Sequence, residues 1–217
     1  KGLGMGFGEA RGLHFDDAKL APLLDRCADL GIPVNIHVAD TIWMYQKMDE
    51  TNDGMMNAVV WRLDDKPGIV DHSGMIEKLE RTVRRHSRTT FVACHLANLD
   101  YDLDRLGGLL DRLPNLYADI SARYAETAVT PRAAARFIAS HQDRLVYGTD
   151  MGADPDMYRL TFRILETLDE HFYAPIFEYH WSYSGFGLED PVLRKLYRAN
   201  ALEVARRAAK NAKGVAR

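Results

Sequence analysis

Cysteine is scarce: the 217 residues hold only Cys27 and Cys94. Two thiols do not make a disulfide framework, and Cys94, inside an apolar run, reads as a small buried hydrophobe. No apolar run approaches ~18 residues, so no membrane-spanning helix is supported. Charge of one sign is lacking too. Lys and Arg number 28 against 31 Asp and Glu, a net charge of -3 with the signs interspersed. That balance gives no reason to expect nucleic acid as a partner. The glycine-rich start, Gly2-x-Gly4-x-Gly6-x-Gly8, lacks the spacing of a dinucleotide fingerprint and opens no helix. No internal repeat or low-complexity linker divides the chain, and no signal peptide is visible, which makes the cytoplasm the expected location.

What is present is an ordinary globular composition, 47% hydrophobic and 27% charged. The length allows a single domain, 1–217, with a sizeable core. Strand-like and helix-like runs alternate. Phe7 to Arg11 reads as a short strand. Asp16 can cap a helix with Leu20, Leu23, Leu24, Cys27 and Leu30 on one face, ended by Gly31. Strands follow at Val34 to His37, Phe91 to His95, Asn115 to Ile120 and Leu145 to Thr149. Ser73 can cap a helix with Ile76, Leu79 and Val83 inward. Further helices run from Leu103 to Leu113, from Thr130-Pro131 through Ile138, and from Pro155 or Asp156 through Leu168. A C-terminal helix over 190–209 opens at Asp190-Pro191. Strands separated by helices imply a parallel sheet built of βαβ units.

Residues 40–72 are too long for a simple strand-to-helix loop. Rich in Trp43, Met44, Tyr45, Met55, Met56 and Trp61, they suit either a substrate pocket or lid or an apolar contact with a second copy of the chain.

The chemistry gathers at the strand ends. His37, His95 and Asp150 each close a β-like run, and an α/β barrel carries its active site at that end of its strands. A His at a strand end is commonly just packed, but strand ends facing solvent normally hold turn formers. Two imidazoles and a carboxylate suit a borderline-soft divalent ion, zinc first, with manganese or another ion as alternatives. His14, His72, His86, His141 and His171 fall on helices or loops and read as solvated or capping residues.

Four segments, Ile32-Pro33-Val34-Asn35-Ile36-His37, Phe91-Val92-Ala93-Cys94-His95, Leu116-Tyr117-Ala118-Asp119-Ile120-Ser121 and Val146-Tyr147-Gly148-Thr149-Asp150, together resemble the amidohydrolase superfamily. The match is nearer to its amidohydrolase-related branch, which contains the aminocarboxymuconate-semialdehyde and resorcylate decarboxylases. The run Pro191 to Ala201 fits that branch as well. The resemblance implies an α/β fold, a (β/α)8 TIM barrel of metal-dependent hydrolase type. It also implies that His37 and Asp150 ligate the metal. Asp150 would accept a proton from the attacking water, and His95 would act as acid/base or as a further ligand. Glu9 is a weaker candidate for a bridging ligand. Arg123 can clamp a substrate carboxylate, or pair with Glu126 or Asp119, and Trp43 is a candidate for the substrate pocket.

One departure stands out. The superfamily's first strand ends in a His-x-His pair, and the sequence contains none. Its strands match the last five of eight, so the expectation is of an N-terminally incomplete chain with a half-built metal site. The expected activity is hydrolysis of a small cyclic amide, ester or lactone. Non-oxidative decarboxylation of an aromatic or unsaturated carboxylic acid is the alternative within the family, and a catalytically inactive binding or scaffold barrel the alternative outside it.

Overall fold

The computed structural model describes residues 14–177 and 179–212; the expected strand at Phe7 to Arg11, and Glu9 with it, lie outside the described residues. In chain order, α1 (Ala21–Leu30) leads into β1 (Val34–Ile36). The long loop after β1 carries two short helices, α2 (Ile42–Tyr45) and α3 (Met55–Ala58). Next come α4 (His72–Arg85) and β2 (Phe91–Ala93), then α5 (Leu103–Arg112) and β3 (Leu116–Asp119). Helices α6 (Tyr124–Ala128) and α7 (Pro131–Ser140) precede β4 (Leu145–Val146). The chain closes with α8 (Pro155–Glu166), α9 (Asp190–Arg194), a π-helical turn Lys195–Ala199 and α10 (Asn200–Lys210).

The strands form one parallel sheet in the order β1-β2-β3-β4, with Val34 beside Phe91, Phe91 beside Leu116 and Ala118 beside Leu145. The fold is α/β, a partial barrel wall with α4 and α5 on its outer face and α10 against its inner face. Side chains alternate across it, as the two-residue period of a strand requires. Phe91, Ala93, Leu116, Ala118 and Leu145 enter the main core, against Leu79 and Val83 of α4 and Leu106, Leu109 and Leu110 of α5. Val92, Tyr117 and Val146 face the other way and meet Val204 of α10. That last helix is held by its asparagines. Asn200 donates to the Leu145 carbonyl at 2.6 Å, and Asn211, just beyond α10, donates to Arg88 O at 2.7 Å.

Several helix starts differ from expectation, each for a local reason. Asp17, not Asp16, accepts the Lys19 amide and opens a 3₁₀ turn ahead of α1. Asp16 is instead drawn to Lys78 and Arg81 on α4. Asp71, not Ser73, caps α4 through the Gly74 amide. Asp154 caps α8, whose first residue is Pro155 as expected, and α8 ends at Glu166 rather than Leu168. The C-terminal helix over 190–209 is interrupted by the π turn. Strand β4 stops at Val146, short of Thr149, because the Tyr147 amide leaves the ladder for Leu196 O. Gly31 ends α1 as expected, at φ 69°, and a β-carbon there would stand 3.0 Å from Ala209 Cα. Leu23 and Leu30 of α1 are exposed, not inward.

The loop over 40–72 is self-braced. Asn52 donates to Trp43 O and Lys47 O, and its own oxygen accepts the Gly54 amide. Trp43 is buried, its indole lying where a β-carbon on Gly54 would fall. Leu63 is buried too, and Tyr45 and Val70 pack against the main core, whereas Met56 and Val60 face outward, 78% and 76% exposed. Among the described residues no helix is long and apolar enough to cross a membrane.

Candidate active site at the strand ends

His37 follows β1, His95 follows β2 after Cys94, and Asp150 lies beyond the end of β4. All three sit past the C-terminal edge of one parallel sheet, so the fold brings together what the sequence spreads over more than a hundred positions. The His37 and His95 rings meet edge to face with centroids 4.9 Å apart. Asp150 Oδ2 stands 3.8 Å from His95 Nε2, and Asp40 Oδ1 stands 3.5 Å from His37 Nε2.

The end of β3 adds two residues that sequence reasoning missed as site residues, Asp119 and Ser121. Asp119 Oδ1 accepts from the His95 amide at 2.8 Å and from Ser121 Oγ at 2.6 Å. The Ser121 hydroxyl proton is thereby committed to Asp119, so its oxygen acts as acceptor toward His95 Nδ1 at 2.8 Å; the Ser121 carbonyl, 3.1 Å away, can only accept. His95 Nδ1 must therefore carry a proton. In the neutral ring the lone pair then lies on Nε2, on the side of Asp150, the tautomer suited to a ligand or a base. The signal for this pair was in the sequence: polar residues ending an apolar strand, as at the other strand ends.

A divalent ion finds suitable donors here. Both His37 ring nitrogens are buried without a hydrogen-bond partner among the described residues, a costly state for an imidazole that coordination would relieve. Two imidazoles with a nearby carboxylate are the donor types zinc takes. Among the described residues no group of three or more His, Cys, Asp or Glu side chains comes into coordinating geometry. The described residues thus fit part of a ligand set.

Arg123 is committed elsewhere. Its guanidinium pairs with Glu126, which also accepts from Tyr179 Oη at 3.0 Å. Burial works against the Arg123 charge, but Glu126, Asp100, Tyr179 and Asp40 outweigh it and hold its pKa above the ordinary value. Trp43 packs inside its own loop. Of the histidines expected to be solvated, His72 and His86 are buried instead. His86 meets Asp25 at 2.8 Å, and His72 joins the turn after His95. His180 is exposed and within 3.2 Å of Asn57 Oδ1.

Burial, then the Glu126 charge, pushes the Asp100 carboxyl up to about 6, with Arg123 pulling the other way. The folded state therefore keeps a proton between about pH 4 and 6 that the unfolded chain releases. Stability should fall as pH rises through that window and level off above it. Asp100→Asn should flatten this part of the profile. Urea unfolding from pH 4 to 7 measures it, and equal slopes in the two proteins would remove Asp100 as the cause.

The amidohydrolase family model matches residues 2–207, and the chain belongs to that family. Members are metal-dependent hydrolases or decarboxylases, and the family generally uses a divalent metal. No curated protein matches the sequence. Among solved structures, an uncharacterized TIM-barrel protein from Bordetella bronchiseptica is similar at 18% identity and a TM-score of 0.51, covering 91% of this chain and 53% of that one. A 2,6-dihydroxybenzoate decarboxylase, solved with 2,6-dihydroxybenzoate, is similar at 13% identity and a TM-score of 0.50, covering 89% and 57%. At such identities the likeness is one of fold. The chain spans little more than half the length of these structures.

Proposed function

We propose that this chain carries the acid/base half of a divalent-metal-dependent active site that hydrolyses a small cyclic amide, ester or lactone. The observation that carries this is the fixed His95 tautomer, with Nε2 turned toward Asp150. His37 and Asp150 are the residues that would hold the ion, zinc before manganese. A bound divalent ion supplies Lewis acidity and a water whose pKa is lowered toward ~7. Asp150 takes the proton of the attacking water at a carboxylate oxygen. Asp150 passes that proton on to His95 Nε2, 3.8 Å away, and the imidazolium so formed delivers it to the leaving heteroatom. Ser121 and Asp119 keep the ring oriented and offset the charge of the imidazolium, as a buried carboxylate does behind a catalytic histidine. Glu9 as a bridging ligand, and Arg123 and Trp43 as substrate contacts, belong to the same proposal more weakly, since Arg123 would first have to leave Glu126.

The same acid can protonate carbon, so non-oxidative decarboxylation of an aromatic or unsaturated acid is the second reading. The experiment takes the intact protein, strips it with a chelator and restores zinc or manganese. Two substrate panels follow, lactones with cyclic amides and esters, and aromatic carboxylic acids. Metal-dependent ring opening without release of carbon dioxide is the expected result. Carbon dioxide release would move the assignment to the lyase, and no metal-dependent turnover on either panel would overturn both.

A further inference from the structure

Four consecutive residues after β2, His95 to Asn98, adopt the left-handed conformation, with φ between 54° and 60°. None is glycine. For most L-residues each such turn costs roughly 1–2 kcal/mol, Asn being among the few that tolerate it. A run of four persists only where its surroundings hold it. Those surroundings are specific. The Asn98 side-chain amide donates to Val38 O at 2.9 Å and to Ala39 O at 3.1 Å. These carbonyls belong to the turn that leaves His37, where Ala39 is itself left-handed at φ 53°. The Asn98 carbonyl accepts from His72 Nε2 at 2.9 Å, and Tyr101 Oη lies 3.3 Å from His72 Nδ1. His72 and Asn98 are both buried. Burial lowers the His72 pKa below its ordinary value. A neutral ring donating at Nε2 and accepting at Nδ1 matches both contacts.

One side chain thus ties the turn carrying His95 to the turn carrying His37, across two strands of the sheet. We propose that Asn98, itself fixed by His72, is a positioning residue that sets the distance between the two histidines. Ordinary core packing does not require this arrangement, since an apolar residue would fill the same volume without forcing four left-handed residues. The strained turn and the cross-strand amide serve one end, keeping the two imidazole centroids 4.9 Å apart. The importance of this spacing for chemistry rests on the proposed metal-dependent function. The spacing itself does not, and the test separates the two.

The intact protein is compared with Asn98→Ala by two measurements. The first is the proton nuclear Overhauser effect between the His37 and His95 rings, which needs no metal. It should be present in the parent and absent from Asn98→Ala. The second is zinc titration, where affinity should fall by ~10–100-fold, as when a residue supporting a ligand is removed. If Asn98→Ala does not fold, His72→Leu carries the same readouts by releasing only the Asn98 carbonyl. His72→Gln, which restores a donor, should recover the ring-to-ring signal. A signal that survives in the variants would overturn the positioning role, even if they melt earlier. If the signal vanishes from the variants of a parent that binds no zinc, the positioning role stands and the metal-dependent function alone is sunk.

Discussion

His95→Ala is expected to lower kcat by ~10²-fold or more in the intact protein while bound zinc stays close to the parent value. His37→Ala and Asp150→Ala should lose both metal and activity. The difference follows from position. His95 is anchored through Nδ1 to Ser121 and presents Nε2 near Asp150, as a proton-transfer group must, whereas the buried His37 nitrogens have no hydrogen-bond partner among the described residues to satisfy them. Metal content by atomic absorption, set beside kcat for the three variants, separates the roles. If His95→Ala releases as much metal as His37→Ala, His95 is a ligand and the proton donor must be sought elsewhere.

The largest stability effect is expected from Asn115→Ala. The Asn115 amide donates to Val83 O, His86 O and Thr89 O at 3.0–3.2 Å. It joins the end of α4 to the loop entering β2, and it is buried. His86 O keeps the Thr89 amide, but Val83 O and Thr89 O lose the Asn115 donor where water has little access, at a cost of roughly 3 kcal/mol. A chain of this size should then melt about 6–12 °C lower. Calorimetry checks it, and a loss under about 1 kcal/mol would mean that water enters and replaces the amide.

Much of this was legible in the residues alone, because apolar runs ending in His37, His95 and Asp150 already imply strands whose polar ends share one edge. What escaped was set by partners far along the chain. Asp119 looks like a counter-ion for nearby Arg123, yet it turns to the His95 amide and Ser121. Arg123 takes the other partner that the sequence offered, Glu126, one helical turn away. His72 opens a helix, where side chains are normally wet, but this helix begins against the turn following β2. Strand β4 loses its last residues to Leu196, a partner no local pattern announces. Cap positions slipped by a residue or two because neighbouring Asp and Ser residues compete for the same amides, and distant lysines and arginines decide between them. The place of Glu9, at the start of the chain, lies outside the described residues.

The last helix has a consequence for the order in which the protein acquires its structure. Val204 is the residue from α10 that joins Val92, Tyr117 and Val146 on the inner face of the sheet. Asn211 reaches back 123 positions to Arg88. Strands β1 to β4 all leave the ribosome before that helix does. While it is still being made, the nascent sheet presents valines and a tyrosine to solvent or to a chaperone. Such transient surface favours association between incomplete chains. Synthesis speed and chaperone supply would then add to the stability of the finished fold in setting how much of this protein a cell recovers.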